Sequence, residues 1–142
     1  MSTFGRDKGI TTGFNVATLI LRLSFGGLML THGYKKLLNY SNLSEKFMDF
    51  MGMGSEVSLI LTIGAELGCA VLLILGLFTR FAAIPLVVTM LVAALLAHGG
   101  DPLAEKEMSL LYLAGYLSIM LLGAGKFSLD DLIFKNKKSR KR

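Results

Sequence analysis

The chain has 142 residues, of which 53% are apolar and only 18% charged, with a formal net charge of +5 and a mean hydropathy of +0.60. Soluble domains carry about 25% charged residues, and a water-soluble protein of this length has too little interior to hide so much apolar surface. An ordinary soluble domain is therefore excluded, and the single cysteine, Cys69, excludes an internal disulfide and a self-contained thiol–disulfide enzyme.

A membrane-crossing helix needs about 20 mainly apolar residues, and the chain offers four such runs. Residues 1–15, with Arg6 and Lys8, are expected to form an N-terminal segment. The first span, 16–38, carries Arg22 and His32 and ends in Lys35 and Lys36. It is too long for a signal-peptide core and has no small-x-small cleavage pattern after it. At 100° per residue, Thr18, Arg22, Gly26, Met29, His32, Gly33 and Lys36 share one side, which is expected to face the other helices.

The connection 39–56 reads as a short amphipathic helix at the membrane surface or over the mouth of the bundle. Asn42 and Glu45 have capping-box spacing, and Leu43, Phe47, Phe50 and Met51 follow at helical intervals before Gly52 and Gly54. The second span, 57–78, contains one charge, Glu66, and a small-xxx-small pair, Gly64 and Gly68, expected to press on a neighbouring helix. Only Thr79 and Arg80 separate it from the third span, 81–97, so the two form a tight antiparallel hairpin. Pro85 is expected near the start of the third span, where a missing N–H is best tolerated.

Gly99, Gly100, Asp101 and Pro102 mark a turn. The fourth span, 108–124, holds Tyr112 and Tyr116. Spans three and four are short and should stand upright or thin the bilayer. The expected fold is thus all-α: a four-helix integral membrane bundle over residues 16–124, with the short amphipathic helix between spans one and two. Residues 125–142 form a basic tail suited to an anionic leaflet. Nucleic-acid binding is not expected, because no fold stands behind that tail to read bases. Lys and Arg cluster with the termini and Arg80, whereas Glu45, Asp49, Glu56, Asp101, Glu105 and Glu107 fall on the other side. Both termini are therefore predicted to be cytoplasmic.

A charge at the centre of a membrane helix costs about 2.5–3.5 kcal/mol. Such residues face the bundle interior, find partners and mark functional sites. Arg22 and Glu66 are the two that stand out, and a direct or water-bridged Arg22–Glu66 pair is expected. His32, Lys36, His98 and Glu107 gather at the outer ends of the spans, with Tyr112 about one turn deeper. The six residues Arg22, Glu66, His32, Lys36, His98 and Glu107 outline an intramembrane polar site open to the outside. His32, His98 and Glu107 come from three separate segments without local ligand spacing, so no metal site is expected. The chain shows no nucleophile–base motif, phosphate loop or dinucleotide fingerprint, which leaves open whether it is an enzyme by itself.

Leu21-Arg22-Leu23, Gly27 and the run from His32-Gly33 to Lys36-Leu37 resemble the first-span signature of the DoxX family. Glu66-Leu67-Gly68 with the stretch 75–80 is similar to its second span and the following turn, and the stretch 123–130 to its ending after span four. The resemblance covers roughly 18–131. It implies a compact four-helix protein of the prokaryotic cytoplasmic membrane, related to a thiosulfate:quinone oxidoreductase subunit, with some members working beside soluble redox enzymes. Its typical polar positions fall on Arg22, His32, Lys36 and Glu66, and more loosely on His98 and Glu107. The expected function is the membrane subunit of a redox complex whose cavity binds quinone. A soluble oxidoreductase is the expected partner, and the alternatives are a structural anchor for a soluble enzyme and a small transporter acting as a homodimer.

Overall fold

The structure, a computed structural model, describes residues 3–139, with side chains over 11–134. Among the described residues every regular element is a helix: α1 (Thr3–Leu38), α2 (Tyr40–Leu43), α3 (Ser55–Gly64), α4 (Ala70–Leu75), α5 (Thr79–Val92), α6 (Leu103–Leu122) and α7 (Leu129–Ser139). A π-helical turn, Ala65–Cys69, joins α3 to α4, and another, Ala93–Ala97, extends α5. Three stretches are long and apolar enough to cross a membrane: Thr11–Leu38, Ser55–Leu75 and Thr79–Ala97. Helix α6 has 20 residues, about 30 Å at 1.5 Å per residue. It begins ahead of the expected start at Met108 and takes Glu105, Lys106 and Glu107 into its first turns. Those charges dilute its apolar run.

The helices pack in a ring. Helix α1 lies against α3–α4, α4 and its preceding π turn against α5, α5 closely against α6, and α6 against α1. Met29, Leu73, Leu86, Tyr116 and Ile119 fill the centre and are all but fully buried. The outward faces are apolar as well: Ile20, Leu28, Ile60, Phe81, Leu95 and Leu121 are more than half exposed. In water such a surface would drive aggregation, whereas in a bilayer it is the face that meets lipid.

Three sequence expectations are corrected. The connection between α1 and α3 holds one helical turn, Tyr40–Leu43, rather than an amphipathic helix running through Phe50. Beyond Ser44 local side-chain bonds divert the backbone: Asp49 accepts from the Gly54 N–H at 2.8 Å, and Ser58 Oγ accepts from the Phe50 N–H at 2.9 Å. Tyr40 donates to Glu56 at 2.7 Å and ties the start of the loop to α3. That bond to a carboxylate raises the Tyr40 pKa above its usual value. Second, Gly64 and Gly68 have open space beside them. The close approach is made by α1 instead, where a Cβ on Gly33 would stand 2.9 Å from the Leu67 side chain. Third, α5 starts at Thr79, so Pro85 lies beyond the first turn and leaves the Phe81 carbonyl without its N–H donor.

At one end of the ring, two side chains satisfy helix ends that lack intrahelical partners. Arg22 donates to Leu73 O at 3.1 Å, Ile74 O at 3.4 Å and Phe127 O at 2.8 Å, and also to Ala124 O. Leu73 and Ile74 are in the last turn of α4, where a cation is favoured. Asp130, in the first turn of α7, accepts from the N–H groups of Phe78 at 2.7 Å and Thr79 at 3.0 Å, where α5 begins. Gly76, at φ +68, gives the chain its left-handed exit from α4, and a Cβ there would stand 2.6 Å from Ser128. The segment after α6 thereby closes over the hairpin between α4 and α5.

Candidate functional site

At the opposite end the ring is open inside. A cavity of about 800 Å³ is bounded by α1, α3 and its π turn, α5 and α6, with the loop after α2 lying across it. Most of its wall is apolar, including Met29, Phe47, Phe50, Pro85, Met90 and Met108. Leu43 at the end of α2 and loop residues Lys46, Phe47, Met48 and Phe50 line it, so the loop covers the mouth although it is not the expected helix.

Four charged side chains line the cavity, Lys36, Lys46, Glu66 and Glu105, and two of them form an ion pair. Lys36 Nζ lies 2.7 Å from Glu66 Oε1 and 2.6 Å from Oε2. The Glu66 side chain is 3% exposed and that of Lys36 27%. Glu66 sits on the π turn Ala65–Cys69, whose extra residue shifts the phase of the helix; such turns recur at functional sites. Lys36 reaches it from the last turn of α1. The expected Arg22–Glu66 pair is therefore not formed. Arg22 is bound to backbone carbonyls at the other end of the ring and is no part of the cavity.

His32 and Tyr112 complete the inner wall, their rings edge-to-face at 5.6 Å between centroids. Tyr112 also stacks on Tyr116 at 5.9 Å and meets Phe25 edge-on at 5.7 Å, which fixes its ring. Neither the His32 ring nor the Tyr112 hydroxyl has a hydrogen-bond partner among the described residues. Both polar groups are thus available to a ligand. His98 is at the rim, its Nδ1 2.8 Å from Asp101 Oδ2. Of the two glutamates at the start of α6, Glu105 lines the cavity and Glu107 does not; Glu107 is exposed. Four of the six residues singled out from the sequence, Glu66, Lys36, His32 and His98, thus border one cavity, and Arg22 and Glu107 lie outside it. Among the described residues no group of three His, Cys, Asp or Glu side chains is placed to hold a metal ion.

An all-helical ring with lipid-compatible faces and an ion pair set in an apolar cavity defines a small polytopic membrane protein. The chain belongs to the DoxX family, whose profile matches residues 17–99. It is similar to an uncharacterized protein of Haemophilus influenzae, 30% identical over 136 residues, covering 90% of this chain and 89% of that protein. It is also similar to a Bacillus subtilis protein named "Putative oxidoreductase CatD", 27% identical over 127 residues, covering 89% of this chain and 93% of that protein. No solved structure matches the chain.

Proposed function

We propose that the chain is the membrane subunit of a redox system, and that the cavity beneath the α2–α3 loop receives a quinone ring. The observation that carries this reading is the ion pair of a buried Glu66 with a partly exposed Lys36 in the wall of a mainly apolar cavity of about 800 Å³. A ligand pocket of this kind is mainly apolar, with a few polar groups that fix orientation. His32 and Tyr112 supply hydrogen-bonding groups for carbonyl oxygens on one wall, and Glu66 and Lys36 supply a place to hold a proton beside them. Quinone reduction takes two electrons and two protons, and the electrons would come from a soluble oxidoreductase partner or a bound cofactor. The relative named as an oxidoreductase supports the redox class.

The same reading places α6 across the membrane as a fourth span, with the Arg22–Asp130 end of the ring at the cytoplasmic face of a prokaryotic inner membrane. The basic residues beyond Asp131 favour that side. The competing reading, an anchor for a soluble enzyme, needs only the Arg22–Asp130 end and leaves the cavity without work.

Mass spectrometry of small molecules extracted from gently purified protein tests the choice. Wild type is expected to retain a quinone and Glu66→Gln to lose most of it while remaining folded. Equal emptiness of two folded proteins would move the anchor reading to first place.

A further inference from the structure

Spans two and three are joined by a tight turn and touch along α4, the π turn Ala65–Cys69 and α5. Further toward the loop end they separate. Helix α3 packs on α1, and it has no comparable contact with α5. Residues of both helices along this gap line the cavity and are about half exposed. Leu61 of α3 is 55% exposed, and Ile84 and Val88 of α5 are 47% and 46% exposed. All three lie within stretches long and apolar enough to cross the membrane, so this opening faces hydrocarbon rather than water. The loop across the same cavity turns Phe47, Met48 and Phe50 to it, together with Lys46. Among the polar groups that line the cavity, Glu66, Lys36, His32 and Tyr112 come from the π turn, α1 and α6.

We infer that the gap between α3 and α5 is a lateral portal. The ligand is a membrane-dissolved amphiphile whose hydrogen-bonding head rests against Lys36–Glu66 and Tyr112 and whose apolar tail leaves into the bilayer past Leu61 and Val88. This deepens the quinone reading and rests on it only for the identity of the head. A polar inner wall beside a lipid-facing apolar edge selects molecules with one polar end and one long apolar end. Small hydrophilic acids or ions gain nothing from the portal and are not the substrate class.

Two measurements on full-length protein in lipid nanodiscs test it. The first uses a phospholipid carrying a diazirine on its acyl chain, with peptide mapping of the photoproducts. Labelling of cavity-wall residues such as Ala65 and Met90 is expected in wild type, with a drop of about tenfold in Leu61→Trp/Val88→Trp. Labelling confined to outward residues such as Ile60 and Leu95 would overturn the portal. The second compares retention of a long-tailed isoprenoid quinone with that of a tail-less benzoquinone. The double tryptophan variant is expected to lose the long-tailed compound about tenfold more than the tail-less one, and equal losses would overturn the portal. If wild type binds neither quinone but its cavity wall is photolabelled, the head-group assignment fails and the portal stands. Single variants Leu61→Phe and Val88→Phe, with smaller effects in the same order, guard against misfolding of the double variant.

Discussion

Replacing one member of the Lys36–Glu66 pair leaves the other as an unmatched charge in an apolar wall. Removing one partner of a buried pair costs about 3–5 kcal/mol, and the partial exposure of Lys36 puts Lys36→Met near the lower end of that range. The double variant Lys36→Met/Glu66→Leu should recover most of the loss, because two apolar groups replace two matched charges. Thermal unfolding in detergent reads both effects; a double variant as unstable as Lys36→Met would show that packing, not charge, is at stake. Its ligand content should nevertheless be lost, since the head site has gone. Arg22→Lys should behave in the opposite way. A lysine cannot spread its donors over carbonyls from Leu73, Ile74, Ala124 and Phe127 as the guanidinium fork does. With charged hydrogen bonds worth about 1.5–3 kcal/mol each, the unfolding midpoint should drop clearly while ligand per folded molecule stays the same. Both charges were legible in the sequence as residues that needed partners. The partners were not: Arg22 binds backbone carbonyls, which side-chain spacing does not display, and Glu66 lies level with Gly33 on α1, within reach of Lys36 and far from Arg22.

At the scale of elements, the segment after α6 works as a clasp on the α4–α5 hairpin. Asp130 takes the place of the side-chain cap that Phe78, at φ 48, does not provide for α5. Loss of an N-cap costs about 0.5–2 kcal/mol, so Asp130→Ala should destabilise by about that much and speed hydrogen exchange at the Phe78 and Thr79 amides before the rest of α5. Unchanged exchange there would mean that the turn holds itself. The hairpin was legible because so short a connection cannot join spans in any other way, although the turn is Gly76, Leu77 and Phe78, and the expected linker residues Thr79 and Arg80 already belong to α5. Asp130 was legible only as part of a family ending, since its partners lie far back in the chain. The π turn under Glu66 left no trace in apolar periodicity, because one extra residue is lost in a uniformly apolar run. The helix expected through Phe50 failed for a local reason: Asp49 and Ser58 offer the backbone better bonds than another turn would.

For the whole molecule the open question is whether α6 crosses the bilayer, and its charge and packing pull in opposite directions. Met108 to Leu122 gives about 22 Å of apolar helix at 1.5 Å per residue, short of the roughly 30 Å hydrocarbon core. Against that, α6 packs along α5 more closely than any other pair of elements, and Tyr116 and Ile119 are fully enclosed. A helix so embedded among spanning helices cannot lie flat on the surface without exposing that core. In the proposed four-span arrangement its charged first turns, where Lys106 donates to Gly99 O at 2.7 Å, would reach the interface, and local thinning would meet so short a span. Single cysteines at Ser44, Gly100 and Lys126 in a Cys69→Ser background decide the matter with a membrane-impermeant thiol reagent. With four crossings and the proposed orientation, the cysteines at Ser44 and Gly100 react in intact cells, and the one at Lys126 reacts only after lysis. If α6 does not cross, all three react from the same side, and the cavity would then lie between three spans and a surface helix.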